Sequence, residues 1–414
     1  MEKKETQKNV PKKGKSGKRK KYLFGRFARW VLSLIFPRKY NIIYSRDENL
    51  EGVVPPYFLF GNHTSALDPF LMGIGNDCHV NYVTNDEYFR YRSLSSLMRF
   101  LGAVPKTKFM TGAESVRQIF RLKDDGAVIG LYPEGGRTWQ GLTQPLLFST
   151  SKLVKKLQIP VVCALTRGGS LSFPRWARYS RKGKISIHYS LLLTAGQVKE
   201  LAAEEIHEKL TAALAHDEVK WNRLMRVEFK GKKLAETLEW FLYACPHCGK
   251  LETMRSCKNM FTCTNCGFTV RYNGYGLFEG SGETPLQYDN VADWSVYQRE
   301  LISKKIAALT DGEALLKRKN VSLFNGISRE RALGRVMNGT LRFTREGFTL
   351  SDKIETKVFS FDRVRGLTIN YKNVIDFYID DDKLRLEFDE KEASGYIWED
   401  AMKALQALFS AHGV

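Results

Sequence analysis

From about residue 40 to 225, short apolar runs alternate with amphipathic stretches. The runs are Tyr57–Phe60, Val80–Val83, Ala127–Tyr132, Pro160–Leu165 and Ile185–Tyr189, each of strand length and rich in β-branched or aromatic side chains. Between them, Pro69–Ile74, Ser93–Leu101, Ala113–Leu122 and Ser151–Leu157 have helix-like spacing, and a polar helical tail, Gln197–Leu214, closes the region. The alternation predicts an α/β domain with a mostly parallel sheet.

Near residue 230 the texture changes. Lys230-Gly231-Lys232-Lys233 leads into an apolar amphipathic segment, Leu234–Tyr243, and then a cysteine-rich stretch to about 275. Gly280–Pro285 reads as a linker, and Asp293–Leu309 as a helix capped by Asp293. Period-two alternation then marks strands at Gly339–Phe343, Phe348–Ser351, Lys357–Phe361, Leu367–Ile369, Val374–Ile379 and Leu384–Phe388, before a final helix, Trp398–Phe409. Strands followed by one closing helix resemble the pleckstrin-homology-like class, which includes the GRAM domains. The predicted organisation is a disordered basic arm (1–21), an amphipathic interface helix (22–39), the α/β domain (40–228), the cysteine module (240–275), a linker and helix (276–311) and a mostly-β module (312–414).

Charge sharpens the picture at the N-terminus. The 414-residue chain carries a net charge of +20, and residues 1–40 hold fourteen Lys and Arg against two Glu. A basic block of this kind seeks polyanions, either nucleic acid or an anionic membrane. Tyr22–Phe36 is apolar apart from Arg26, Arg29 and Ser33, and it stops at Pro37. It is shorter than the about 20 apolar residues that span a bilayer, and its internal arginines suit a helix lying in the interface. The expectation is a peripheral or monotopic protein on the cytoplasmic face of the cell membrane, with the anionic surface as a partner. A signal peptide is disfavoured because the basic region is long and no small-residue cleavage site follows.

Cys245-Pro246-His247-Cys248-Gly249 and Cys263-Thr264-Asn265-Cys266-Gly267 form two Cys-x-x-Cys-Gly knuckles separated by fourteen residues. Four thiolates, with a glycine letting the backbone turn after each pair, match the zinc-ribbon signature. All four positions filled by sulfur predicts a closed structural zinc site on Cys245, Cys248, Cys263 and Cys266. Cys257 and His247 are left as bystanders, and a nucleic-acid or protein partner of the ribbon is left open.

The other candidate chemistry follows two of the apolar runs. After Tyr57–Phe60 comes Gly61-Asn62-His63-Thr64-Ser65-Ala66-Leu67-Asp68-Pro69; after Ala127–Tyr132 comes Pro133-Glu134-Gly135-Gly136-Arg137-Thr138. A neutral imidazole can take a proton from an attacking hydroxyl if a carboxylate fixes its tautomer. Asp68-Pro69 also reads simply as a helix start, with Asp68 as N-cap and Pro69 at the first helical position. Arg137 offers a fork of donors matched to a phosphate, flanked by glycines that let backbone and ligand approach.

The two motifs together resemble the glycerophospholipid acyltransferase family, whose familiar member is bacterial 1-acylglycerol-3-phosphate acyltransferase. Two further blocks fall in the family's order: Gly102-Ala103-Val104-Pro105-Lys106-Thr107-Lys108-Phe109, and Ile159-Pro160-Val161-Val162. The resemblance covers about residues 40–225. It implies an O-acyltransferase taking a fatty acyl group from an acyl-CoA or acyl carrier protein thioester to a lysophospholipid, most simply 1-acylglycerol-3-phosphate. It implies His63 as general base with Asp68 as partner, and Asn62, Lys106, Lys108, Glu134, Gly135, Gly136, Arg137 and Thr138 around the substrate. Glu134 would orient Arg137 or its loop, and donors near Gly135 and Gly136 would face the oxyanion. No serine or cysteine sits in a nucleophile context, so transfer is expected without an acyl-enzyme. The family commonly has an arginine in the second block where this chain has Lys106-Thr107-Lys108, which leaves the acceptor more open than the reaction. A competing reading is a nucleic-acid- or protein-binding zinc-ribbon protein whose acyltransferase-like domain is inactive.

Overall fold

A computed structural model describes residues 31–90, 92–106, 113–281, 284–326, 333–370, 373–380, 382–390 and 394–411. The basic arm read at 1–21, the first part of the interface helix and Lys108 lie outside them. Residues 31–40 are helical (α1). The helix runs past Pro37, where the apolar run ends, and Tyr40 at its close packs against Phe173 with ring centroids 4.7 Å apart. Among the described residues no helix is long and apolar enough to cross a membrane.

The first sheet contains β1 (Ile42–Arg46), β2 (Tyr57–Gly61), β3 (Val80–Asn85), β4 (Val104–Lys106), β5 (Val128–Leu131), β6 (Val161–Arg167) and β7 (Ile185–Leu193), in the order β1-β7-β6-β2-β5-β3-β4. Every neighbouring pair is parallel except β6 with β7. The mixed, mostly parallel sheet agrees with the alternation in the sequence. Central β2 is buried along its whole length, and Phe58, Leu59 and Phe60 each contribute roughly 1.5–3 kcal/mol by burial. The connecting helices are α2 (Asp68–Gly75), α3 (Arg92–Phe100), α4 (Ala113–Asp124) and α5 (Phe148–Leu157). The tail read as one helix is two, α7 (Ala195–Glu200) and α8 (Ala203–Leu214), after a single turn, α6 (Gly169–Ser172). Leu201 and Ala202 are extended between α7 and α8, where Glu205 accepts the Ala202 N–H at 2.7 Å. Helix α9 (Glu218–Met225) completes this half.

The second half is built on one continuous hydrophobic cluster. The ribbon strands β8 (Met254–Cys257), β9 (Met260–Cys263), β10 (Thr269–Tyr272) and β11 (Phe278–Gly280) form an antiparallel sheet. Next to it lies α10 (Val291–Ala307), whose N-cap is Asn290 and not Asp293; the Asn290 side chain accepts the N–H groups of Ala292 and Asp293. Read from the sequence as part of a connecting segment, α10 is a core element with Trp294, Ser295, Gln298, Ile302 and Ile306 buried. Seven antiparallel strands follow: β12 (Leu316–Gly326), β13 (Gly334–Thr344), β14 (Gly347–Ser351), β15 (Thr356–Ser360), β16 (Val364–Asn370), β17 (Val374–Ile379) and β18 (Asp382–Phe388). Their order is β15-β14-β13-β12-β18-β17-β16, and α11 (Tyr396–Ala411) closes the set. The sequence reading missed β12, the central strand. A bulge between Arg318 and Val321, with Asn320 at φ +54°, breaks its alternation. Ribbon, α10, the last sheet and α11 share a single core that also takes in Trp139 and Trp176 of the first half.

A buried ionic seam joins the halves. Glu87, in the turn after β3, faces Lys383 at 2.5 Å and Arg385 at 2.9 Å on β18, and both cations also reach Asp376 on β17, at 2.9 and 2.7 Å. Burial alone would raise both carboxyls, but the two cations hold Glu87 and Asp376 below their ordinary values. The seam is therefore at full strength above the ordinary carboxylate range and fades as pH falls through the depressed values. Removing one partner leaves a buried charge uncompensated. Glu87→Ala should cost roughly 3 kcal/mol in urea unfolding of the full chain. A loss below about 1 kcal/mol would mean that Asp376 alone neutralises both cations.

Candidate active site and metal centre

The site begins with the parallel pairing of β2 and β5, in which Phe60 lies opposite Leu131. Their carboxyl ends lie side by side, so the loops at 61–68 and 132–139 leave the sheet together, where open α/β sheets bind ligands. Gly61 makes the exit possible: a Cβ there would lie 2.8 Å from Met72 Sδ and 3.1 Å from Tyr132 Cε1.

Asp68 gathers the first loop. Its Oδ2 accepts the backbone N–H of Thr64 at 2.6 Å and of Ser65 at 2.8 Å, and the His63 Nδ1 contact at 2.9 Å. Its Oδ1 accepts the hydroxyls of Thr64 and Ser65 at 2.9 and 2.6 Å. Asp68 is not an N-cap as read from the sequence, since Leu67 occupies that position and α2 begins at Asp68 itself. The carboxylate is turned back onto the loop instead.

The His63 ring stacks on Tyr132 with centroids 4.2 Å apart, and its side chain is 19% exposed, so substrate can reach it. With Nδ1–H directed at Asp68, the tautomer leaves Nε2 as the basic nitrogen, and Nε2 makes no hydrogen bond among the described residues. Burial lowers the His63 pKa; Asp68 opposes that shift, and Arg137 and Arg175 reinforce it. The ring is thereby kept neutral near pH 7.

The second loop is tied to the first. Glu134 accepts the backbone N–H of His63 at 2.5 Å and of Gln144 at 2.6 Å, and Thr138 N–H donates to the His63 carbonyl at 2.9 Å. Burial pushes the Glu134 carboxyl up to about 8 against the pull of the two N–H donors. Of its two anticipated roles, Glu134 is placed for holding the loop.

Other residues read as substrate contacts are spent on structure. The buried Asn62 amide pairs with both backbone groups of Thr166 on β6, at 2.9 and 2.8 Å. Thr138 is also buried, with its hydroxyl accepting the Gly141 N–H at 3.0 Å. The Gly135 N–H is committed to the Tyr132 carbonyl at 3.2 Å, whereas Gly136 donates to no acceptor among the described residues. No ion pair ties down the half-buried Arg137 guanidinium among the described residues. Lys106 ends β4 at the far edge of the sheet, with β5 and β3 between it and β2; burial lowers its pKa.

The neighbour that sequence reasoning missed is Arg175. It lies in a loop after α6 with no motif around it, and only the fold brings it to Arg137.

Residues 41–166 match the family model described as Acyltransferase. An acyltransferase domain occupies this part of the chain. A 1-acyl-sn-glycerol-3-phosphate acyltransferase of Bacillus subtilis (strain 168) is 23% identical over 153 residues, 37% of this chain and 74% of that protein. The crystal structure of the 1-acyl-sn-glycerophosphate (LPA) acyltransferase PlsC from Thermotoga maritima aligns with a TM-score of 0.39 and 17% identity, over 47% of this chain and 76% of that one. The match to the family model spans both loops of the acyltransferase domain, from His63 through Arg137.

The second centre is remote in sequence from the acyltransferase domain. The sulfurs of Cys245, Cys248, Cys263 and Cys266 all lie within 4.8 Å of one another, with Cys245–Cys266 at 3.7 Å and Cys248–Cys263 at 3.8 Å. A tetrahedral ion with metal–sulfur bonds of about 2.3 Å would hold its sulfurs about 3.8 Å apart, so the donor set fits. Gly249 and Gly267 take φ of +66° and +76° and return N–H bonds to the Cys245 and Cys263 carbonyls at 2.9 and 3.0 Å. Converting Cys245 and Cys263 together to serine should remove stoichiometric metal, read by elemental analysis, and lower the melting temperature. One ion per chain surviving the change would exclude the four-sulfur site.

Proposed function

We propose that the protein transfers a fatty acyl group from a thioester donor, acyl-CoA or acyl carrier protein, to the free hydroxyl of a lysophospholipid, with 1-acylglycerol-3-phosphate as the leading acceptor. The observation that carries this reading is the His63–Asp68 pair beside Arg137, which has no ion-pair partner among the described residues, inside the segment that matches the acyltransferase family model. His63 Nε2 takes the proton as the acceptor oxygen attacks the thioester carbonyl. A C–O bond forms, the C–S bond breaks through a tetrahedral oxyanion, and the thiolate leaves as the thiol with the proton from His63. Asp68 holds the tautomer and balances the transient imidazolium. The Gly136 N–H, without an acceptor among the described residues, is a backbone donor for the oxyanion, and Arg137 receives the acceptor phosphate.

For the remaining modules, we read the four-cysteine centre as structural zinc, since sulfur fills every coordination position. We read the last sheet with α11, seven strands closed by one helix, as a module of the pleckstrin-homology-like class. Peripheral association with the cytoplasmic face of an anionic membrane is supported by two features. Leu34 and Ile35 of α1 are 42% and 51% exposed beside exposed Arg38 and Lys39. A cluster of five cations with two acids surrounds Tyr179: Arg178, Lys232 and Lys233 lie 5.9, 5.0 and 5.9 Å from its ring centroid, with exposed Lys182 and Lys230 alongside, Glu236 facing Arg178 and Lys233 and Glu228 facing Lys230.

Purified protein incubated with lysophospholipids and both donor types, read by mass spectrometry, tests the reaction. His63→Ala should lower turnover by roughly 10²–10⁴-fold with folding retained; unchanged turnover removes the assignment. Activity requires neutral His63, so kcat/KM should hold at neutral pH and fall on the acid side, with a midpoint below the 6.5 of an ordinary imidazole. In sedimentation with anionic vesicles, each Lys→Gln change at 182, 230 or 232 should weaken binding roughly fivefold at low salt. Binding indifferent to these changes and to salt would rule out the basic face as a membrane contact.

A further inference from the structure

Arg175 sits where three parts of the molecule meet. One terminal nitrogen donates to the Arg137 carbonyl at 2.7 Å, and the other donates to the Ile369 carbonyl on β16, also at 2.7 Å. Its guanidinium lies 4.3 Å from the ring centroid of Trp139, two residues beyond Arg137. Trp139 in turn stacks on Phe241 at 5.7 Å and meets Tyr396 of α11 at 5.2 Å. No carboxylate pairs with Arg175 among the described residues. Two carbonyls, one from the anion loop and one from the last sheet, take the donors that an acid would ordinarily accept.

We propose that Arg175 is a positioning residue of the acceptor-phosphate site, fixing the Arg137 loop against β16 and so making the C-terminal sheet part of the frame of the acyltransferase site. The proposal rests on the acyl-transfer reading and deepens it. A planar fork can serve two carbonyls on two bodies at once while its face covers an indole, and an ammonium group cannot do all three. The arrangement also has an electrostatic consequence. Burial and the neighbouring Arg137 bring the Arg175 guanidinium down to about 10, with Glu399 and Tyr396 of α11 acting in the other direction. It stays charged at neutral pH, so two like charges stand together, and a phosphate entering beside Arg137 relieves their repulsion. The charges that act on His63 are Asp68 on α2, Arg137 and Arg175; Tyr132 covers the ring and Glu134 holds its backbone.

The test uses full-length protein carrying Arg175→Met or Arg175→Lys, with two readouts. The first is steady-state kinetics with 1-acylglycerol-3-phosphate and an acyl thioester. Arg175→Met should raise KM for the acceptor about tenfold or more, the scale of losing a hydrogen bond from a charged group, while KM for the thioester stays unchanged. The second is ¹³C NMR titration of the His63 ring, which needs no turnover. It should move to higher pH in Arg175→Met and stay in place in Arg175→Lys, which keeps the charge but only part of the bridge, with an intermediate acceptor KM. An unmoved titration in Arg175→Met overturns the proposal, as does a loss confined to kcat or melting temperature with both KM values unchanged. If wild-type protein transfers no acyl group, the functional reading falls, and the His63 titration still decides the placement of Arg175. Should Arg175→Met fail to fold, Arg175→Lys decides through the acceptor KM: an unchanged value sinks the proposal.

Discussion

The Asp68 carboxylate is the point on which the site turns. Five donors from residues 63–65 converge on its two oxygens, so a short loop that would otherwise sample many conformations has one. Those bonds fix the backbone through Thr64 and Ser65 and the imidazole through Nδ1. The ring then lies flat on Tyr132, and its other nitrogen has no partner among the described residues. Glu134 extends the same logic across the gap between strands, because it accepts the His63 N–H and holds the second loop to the first. Both acids satisfy buried N–H groups that would cost about 1–3 kcal/mol each if left without a partner. Position and tautomer of the imidazole thus have one physical origin, the Asp68 carboxylate.

The second half of the chain is not a string of appended modules. The cysteine knuckles rest on Phe261, Phe268 and Trp294, which belong to the same core as the last sheet and α11. An ion held by the four sulfurs would therefore brace a core reaching from Trp139, beside the anion loop, to Leu405 on the closing helix. The Glu87–Asp376–Lys383–Arg385 seam adds a polar clamp to the apolar one. Burying such a cluster is costly and gives little net stability, but it permits only one docking geometry. For an acyltransferase domain whose Arg137 loop touches that interface through Arg175, docking geometry bears directly on the site.

Much was legible in the sequence because the signals were local. A parallel strand buried on both faces must be a short apolar run, and Tyr57–Phe60 is one. Four thiols at knuckle spacing with trailing glycines have few other uses, and their convergence needs only a ribbon hairpin. The Asn62-His63 and Glu134-Gly135-Gly136-Arg137 motifs stood out because each follows such a strand. Less was legible where roles depend on what a side chain meets. Asn62 and Thr138 share motifs with His63 and Arg137, yet their polar atoms bond β6 and the loop, and nothing in their spacing foretells those bonds. Helix α10 read as part of a connection because its polar residues hid a buried face whose partner lies elsewhere in the chain.

By itself the sequence determined the strand–helix alternation, the α/β class, the family resemblance of the first half and the four-cysteine donor set. These depend on periodicity and spacing, which are properties of neighbours along the chain. The tertiary structure decided which acid serves the imidazole and which serves the loop, and that Arg175 ties the Arg137 loop to β16. Such contacts join residues up to 194 positions apart, and no local pattern can encode a partner that only the folded chain brings within reach.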